Sequence, residues 1–146
     1  MVSALAEITT VRAMVRLDDG AQMAMELPEV SVGERHGNRT WFVAKKAFVW
    51  DRPFSKADVK RFGTVTPPDG PIIAVAVADL GEKEAVLAEG AKGVFTIQHF
   101  DGFAAVLIQL KVATKRTVRD AIVDGWLACA PRQLGDDHIA RSRRRR

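Results

Sequence analysis

Apolar positions along the chain fall into short runs whose period changes from segment to segment. Val11, Met14 and Val15 share helical spacing, but Asp18-Asp19-Gly20 interrupts them with residues that favour a helix start. The pattern predicts a helix beginning at Asp18 or Asp19 and running to Leu27, where Pro28 stops it. Trp41 to Val43 and Ala47 to Trp50 are aromatic and β-branched, which favours strands. They predict a hairpin with Lys45-Lys46 at its turn, although no glycine or asparagine marks that turn. Ser55-Lys56-Ala57-Asp58 reads as a capping box that opens a short helix closed by Gly63. The Pro- and Gly-rich stretch from Thr66 to Pro71 then forbids regular structure.

Ile73, Val75 and Val77 alternate with Ala74, Ala76 and Ala78, which predicts a central strand. Its alanine face is expected to let a helix approach closely. Asp79 to Glu82 is a second capping signal, and the helix it starts should reach Glu89 with Gly90 as terminator. Val94 to Gln98 and Phe103 to Lys111 read as two strands joined by a tight hairpin turn at Asp101-Gly102. Thr114 caps a final helix whose Val118, Ala121, Ile122, Gly125, Trp126 and Cys129 share one face, and Pro131 closes it. Strands joined by tight turns imply an antiparallel sheet. The expected fold is therefore α+β, a two-layer sandwich with about five antiparallel strands covered by helices.

Composition sharpens this picture. The 146 residues suit one domain with a single core. The longest apolar run, Ile72 to Ala78, is far short of the roughly 20 residues of a membrane-spanning helix. Residues 1–13 lack both a basic start and a long hydrophobic centre, so no secretory signal is expected. Cys129 is the single cysteine, without a second thiol for a disulfide or a metal. Together these features point to the cytosol.

The net charge of +4 is concentrated at one end. Arg141, Arg143, Arg144, Arg145 and Arg146 lie within the last six residues; taking those five from 22 Lys and Arg leaves 17 against 18 Asp and Glu. The body is thus close to electroneutral, with residues 1–17 expected as an extension, 18–135 as the domain, and 136–146 as a basic disordered tail. Such a tail attracts nucleic acid or any acidic surface without selectivity, or is merely a solvated end.

Several segments carry a family resemblance. Phe95-Thr96-Ile97-Gln98-His99-Phe100-Asp101-Gly102-Phe103, the apolar stretch Ala104 to Leu110, and Gly125-Trp126-Leu127-Ala128-Cys129-Ala130-Pro131-Arg132 resemble segments of the MmcQ/YjbR-like family. Leu27-Pro28-Glu29-Val30, Phe48 to Pro53 and Val77 to Leu87 follow the family's order, so the likeness spans about residues 18 to 135. Gln98 stands where the family usually has proline, Phe103 where it has tyrosine, and Lys45 where it has the hairpin glycine. The resemblance implies a CyaY-like α+β sandwich and a double-wing DNA-binding protein without an agreed catalytic set. His99, Asp101, Gly102, Trp126 and Pro131 are the motif positions it singles out.

Weighed one by one, the candidate residues favour binding over catalysis. No Gly-x-Ser-x-Gly elbow, phosphate-binding glycine loop or zinc-protease helix occurs, so no catalytic residue, cofactor or metal is expected. His99 and Asp101 would need a third ligand, with His36 and His138 the remaining histidines. The alternative is that Asp101 makes the turn while His99 hydrogen-bonds across the hairpin. Cys129 on an apolar helix face reads as a small buried hydrophobe. Arg35, His36, Arg39, Lys45 and Lys46 cluster around Trp41 and Phe42 and could set a wing against a phosphate backbone, joined by Arg132 and the arginine tail. An edge strand with solvating lysines has the same sequence. Lys115, Arg116 and Arg119 stand at a helix start, where cations are disfavoured unless an anion binds. The expected partner is DNA. The other reading is a small molecule or protein held in a cleft beneath residues 53–71.

Overall fold

In the computed structural model, residues 14–145 are described. Helix α1 spans Leu17–Met25, followed by strands β1 (Val30–Arg35), β2 (Asn38–Val43) and β3 (Lys46–Asp51). Helix α2 (Lys56–Phe62), β4 (Ile72–Ala76), α3 (Leu80–Ala88), β5 (Val94–Phe95), a 3-10 turn (Gln98–Phe100), β6 (Ala105–Gln109), α4 (Lys115–Cys129) and α5 (Arg132–Arg144) complete the chain. The strands form one antiparallel sheet in the order β1-β2-β3-β4-β6-β5. The fold is an α+β sandwich, with six strands where the sequence suggested about five. Among the described residues no helix is long and apolar enough to cross a membrane.

Local capping chemistry behaves as the sequence implies. Ser55 Oγ accepts from Asp58 N at 3.1 Å while Asp58 Oδ2 accepts from Ser55 N at 2.9 Å, closing the capping box of α2. Asp79 Oδ1 caps α3 through Glu82 N, and Thr114 Oγ1 caps α4 through Thr117 N. The two-residue turn between β2 and β3 is made by Ala44 and Lys45, both at positive φ, so Lys46 already belongs to β3. These non-glycine residues accept the left-handed geometry that the strand twist demands.

The main core lies between the sheet and helices α1 and α4. Trp41, Val43, Phe48, Val49, Ile73, Val75 and Ile108 meet Val118, Ile122 and Trp126 there. A smaller cluster on the opposite sheet face joins Ile72, Ala74, Leu107 and Phe100, with Phe54, Phe62 and Phe95 packed against it. β4 is central and fully buried.

The close approach of a helix uses Gly125, facing Val75, rather than the alanine face of β4. A Cβ at Gly125 would stand 2.8 Å from Val75 Cγ1 and 2.9 Å from the Ala76 carbonyl oxygen. Gly125→Ala will therefore destabilise the fold by up to about 2 kcal/mol in urea unfolding. Overpacking costs about 1–3 kcal/mol, and alanine's better helix propensity returns about 1 kcal/mol.

Four expectations are corrected. β1 was not anticipated. Its residues are half-buried at Val30 and exposed from Ser31 to Arg35, so no apolar alternation announces it. Asp101-Gly102 does not form a tight hairpin turn. β5 ends at Phe95, and the chain makes the 3-10 turn before Asp101 (φ −59°, ψ 130°) and Gly102 (φ 74°) form a type II turn closed by Phe103 N to Phe100 O. Residues 136–144 of the expected disordered tail are helical, because they continue α5. Finally, Val15 is buried in the core and Leu17 opens α1, so these residues of the expected extension belong to the domain. Residues 1–13 of that extension lie outside the described residues.

Candidate nucleic-acid interface

The basic residues that are neighbours in sequence are separated by the sheet. Arg35 and His36 sit at the β1–β2 turn, while Lys45 and Lys46 sit at the β2–β3 turn. The whole length of β2 stands between them, and six extended residues span about 20 Å. Arg39 is engaged within the fold, with Nε 3.3 Å from Asp51 Oδ2 and its guanidinium 4.8 Å above the Trp41 ring. The five residues therefore do not converge on one surface.

At the far end, the β2–β3 turn abuts the start of α5. An open concavity of about 370 Å³ is lined by Ala44, Val43, Pro131, Leu134, Glu29 and Asp137 among others, which brings Lys45 and Lys46 to the end that carries Arg132. Arg132 is exposed and lies 3.9 Å from Asp136. Pro131 is the N-cap of α5, with its carbonyl accepting from Gly135 N at 3.0 Å.

Helix α5 has two halves. Leu134 packs against the core, buried Gly135 faces Leu127, and the His138 ring meets Trp126 edge-on at 5.0 Å. From Ile139 to Arg145 every residue is exposed. This outer half is about 10 Å long at 1.5 Å per residue. It carries Arg141, Arg143, Arg144 and Arg145, none with an ion-pair partner among the described residues; Arg146 lies outside them. Three of these arginines, 141, 144 and 145, share one side at helical spacing. Cations at a helix C-terminus are favoured by the backbone dipole, which helps the arginine run remain helical.

Other exposed cations lie apart from α5, among them Lys56, Lys60 and Arg61 on α2 and the group at the start of α4. Arg116 lies 3.9 Å from Asp120, and Lys115 and Arg119 are exposed. The Asp124 carboxyl is pushed up by desolvation and by the charges of Asp120, Glu82 and Glu89, which marks the α3–α4 flank as acidic.

The motif residues of the 98–103 loop serve its architecture. His99 is exposed, its ring 6.2 Å from Phe100, and it makes no hydrogen bond across the sheet. The residue that grips the loop is Lys83 of α3, only 6% exposed, whose Nζ donates to the carbonyls of Phe100 and Phe103 at 2.5 and 2.8 Å. Desolvation holds its pKa below 10.5, and the Asp101 charge opposes that shift. Sequence reasoning missed Lys83, because a lysine in a Gly-Glu-Lys-Glu stretch reads as a solvated helix residue. Trp126 is fully buried, with Nε1 donating to Pro28 O at 3.1 Å.

The cleft expected beneath residues 53–71 is filled. Phe54 packs edge-on to Phe62 at 5.3 Å and to Phe95 at 6.2 Å. A second open concavity, about 380 Å³, lies instead beside Val15, Leu17, Arg39, Pro71 and Lys111. Burial pushes the Cys129 thiol up, opposed by the Lys46 charge. Its Sγ faces the Ala47 carbonyl oxygen at 3.8 Å. Among the described residues, no three His, Cys, Asp or Glu side chains are grouped so as to hold a metal ion.

Comparison with known proteins yields relatives without an assigned role. No family model and no solved structure matches the chain. It is similar to the uncharacterised proteins Mb2600 of Mycobacterium bovis and MT2646 and Rv2570 of Mycobacterium tuberculosis. Each is 36% identical over 132 residues, covering 88% of this chain and 99% of the relative.

Proposed function

Because the chain belongs to the family of these mycobacterial proteins, whose names carry no activity, we propose a function from its own surface: a non-enzymatic, MmcQ/YjbR-like cytoplasmic domain that contacts DNA through charge. The observation that carries this reading is the outer half of α5, a projecting helical segment with four exposed arginines on an otherwise nearly neutral body. Arginine forks suit phosphate oxygens, and the helical spacing of Arg141, Arg144 and Arg145 presents them together. Lys45 and Lys46 lie at the end of the molecule where α5 begins and add to the attraction. Arg35 and His36, at the opposite end of β2, do not belong to this surface. Such a site positions a phosphate backbone without reading base edges, so binding is weak, indifferent to sequence and steeply salt-dependent.

Full-length protein and a chain ending at Ala140 distinguish the outcomes. The shorter chain keeps Leu134, Gly135 and His138, which dock α5, so its fold is retained. We expect full-length protein to bind duplex DNA at low salt, with log K falling against log salt by about 3–4 for four phosphate contacts. The shorter chain should lose at least about tenfold in affinity, since even one charge-assisted contact is worth about 1.5 kcal/mol. Equal affinity of the two chains removes α5 as the contact. Absence of binding by both removes the DNA reading.

A further inference from the structure

We propose that two copies of this chain associate by pairing their β1 strands edge to edge, extending the sheet across a two-fold axis at Val32. β1 is one edge of the sheet; the other, β5, is two residues long. β1 has six residues, runs against β2 without a register shift, and contains neither proline nor lysine. Its charges, Glu34 and Arg35, stand at one end, so the stretch from Val30 to Gly33 has no lysine, proline or bulge to keep another edge away.

Its outward hydrogen-bonding groups follow from the turn. Arg35 and Asn38 flank a two-residue turn formed by His36 and Gly37, both at positive φ, so they are a hydrogen-bonded pair. Antiparallel pairs alternate, which leaves Val30, Val32 and Glu34 with their N–H and C=O groups directed away from β2. All three residues stand on the free edge. Val32 is 54% exposed, a large apolar side chain on a strand that alternation places on the helix side of the sheet, opposite Trp41.

The occupant that satisfies this edge is the same edge. With the axis at Val32, Val32 pairs with Val32 of the second copy and Val30 pairs with Glu34 in both directions. Each outward N–H then meets an outward carbonyl, and the two exposed valine side chains meet on one face. No like charges face each other. The same register brings Arg35 of each copy to the end where Glu29 of the other stands, and both side chains are exposed and without ion-pair partners among the described residues. Opposite charges across an antiparallel pair add to its stability. One strand pair buries less than a standard interface of about 1,600 Å², so the association is weak, with Kd in about the micromolar to sub-millimolar range.

The test is sedimentation velocity of the full chain at moderate salt without DNA, over a concentration series. We expect monomer at the low end and dimer at the high end. Val32→Pro removes an outward N–H that β2 does not use and should leave the protein monomeric throughout, at least tenfold weaker in self-association. Val32→Lys, which keeps the backbone intact, should do the same and decides the matter if the proline variant does not fold. Arg35→Glu should weaken the dimer and the double variant Glu29→Arg, Arg35→Glu should restore it. Monomer at every concentration, or dimerisation of Val32→Lys equal to that of the native chain, overturns the proposal. Neither result depends on the DNA reading.

Discussion

Trp126→Ala will lower the unfolding free energy by about 3–5 kcal/mol, the cost of emptying a fully buried aromatic site. Trp126 is more than a core filler. Its Nε1–H satisfies the Pro28 carbonyl, 98 residues away in sequence, and so ties the entry of β1 to α4. Its ring edge supports His138, through which α5 rests on the domain. Loss of the ring should therefore release α5 before the rest of the protein unfolds. Hydrogen exchange will show this as faster exchange at residues 135–144, whose amides bond within α5, in the variant under native conditions. Trp126→Phe keeps much of the packing and loses the N–H, and should cost about 1–3 kcal/mol, from the lost hydrogen bond to a half-buried carbonyl together with lost volume. If urea unfolding places Trp126→Ala within about 1 kcal/mol of the native chain, the indole does not anchor the core.

Asp58→Ala will cost a comparable amount, about 3–5 kcal/mol at neutral pH, by a different route. Asp58 is 3% exposed and accepts from Ser55 N and from Arg52 Nη1, each at 2.9 Å, with Arg61 Nη1 at 3.4 Å. Arg52 is itself 14% exposed, donates to Pro53 O, and lies over the Phe100 ring at 5.5 Å. Removing the carboxylate leaves the half-buried Arg52 guanidinium without its counter-charge and uncaps α2 at the same time. Burial alone pushes the Asp58 carboxyl up, but the Ser55 N–H and the Arg52 guanidinium outweigh it and hold the pKa below 3.8. A depressed native pKa stabilises the fold fully above the unfolded value and is lost as pH falls through the native one. The gap between native protein and Asp58→Ala should thus be widest above about pH 4 and close as the pH falls further, when followed by thermal unfolding. A gap that widens on acidification contradicts this assignment. Asp58→Asn, which keeps an acceptor for Ser55 N, should lie between the two.

The interactions around Asp58 show what was readable in advance. The Ser55 box depends on residues three apart, and so do the caps at Asp79 and Thr114. Their geometry is set within one turn of chain, so residue type and spacing suffice. The pairing of Arg52 with Asp58, although only six residues long in sequence, needed the path of the chain between β3 and α2 to be known. Strands β2, β3 and β4 were legible because their aromatic and β-branched residues answer to a buried surface. β1 was not, because almost all of it faces solvent and burial imposes no pattern on it.

The candidate site was legible in its ingredients and not in its arrangement. The arginine run was visible at once, but its helical state was not. That state comes from Leu134, Gly135 and His138 finding Leu127, Trp126 and the core, contacts with no local signature. The cluster of Arg35, His36, Arg39, Lys45 and Lys46 was an effect of short sequence distance, which an extended strand converts into a large spatial one.

From the residues alone came the caps, the buried strand segments, the apolar face of α4 and the concentration of positive charge at the carboxyl end, all consequences of chemistry between near neighbours or of composition. Tertiary structure decided the rest. The Asp-Gly step suits more than one turn type, and it is type II here with Lys83 holding carbonyls 17 and 20 residues away. Likewise Gly125 is needed only because the β4 backbone passes beneath it, and Arg39 is neutralised only because β3 sets Asp51 alongside. Each of these outcomes depends on groups brought together by packing, where no periodicity in the chain records the meeting.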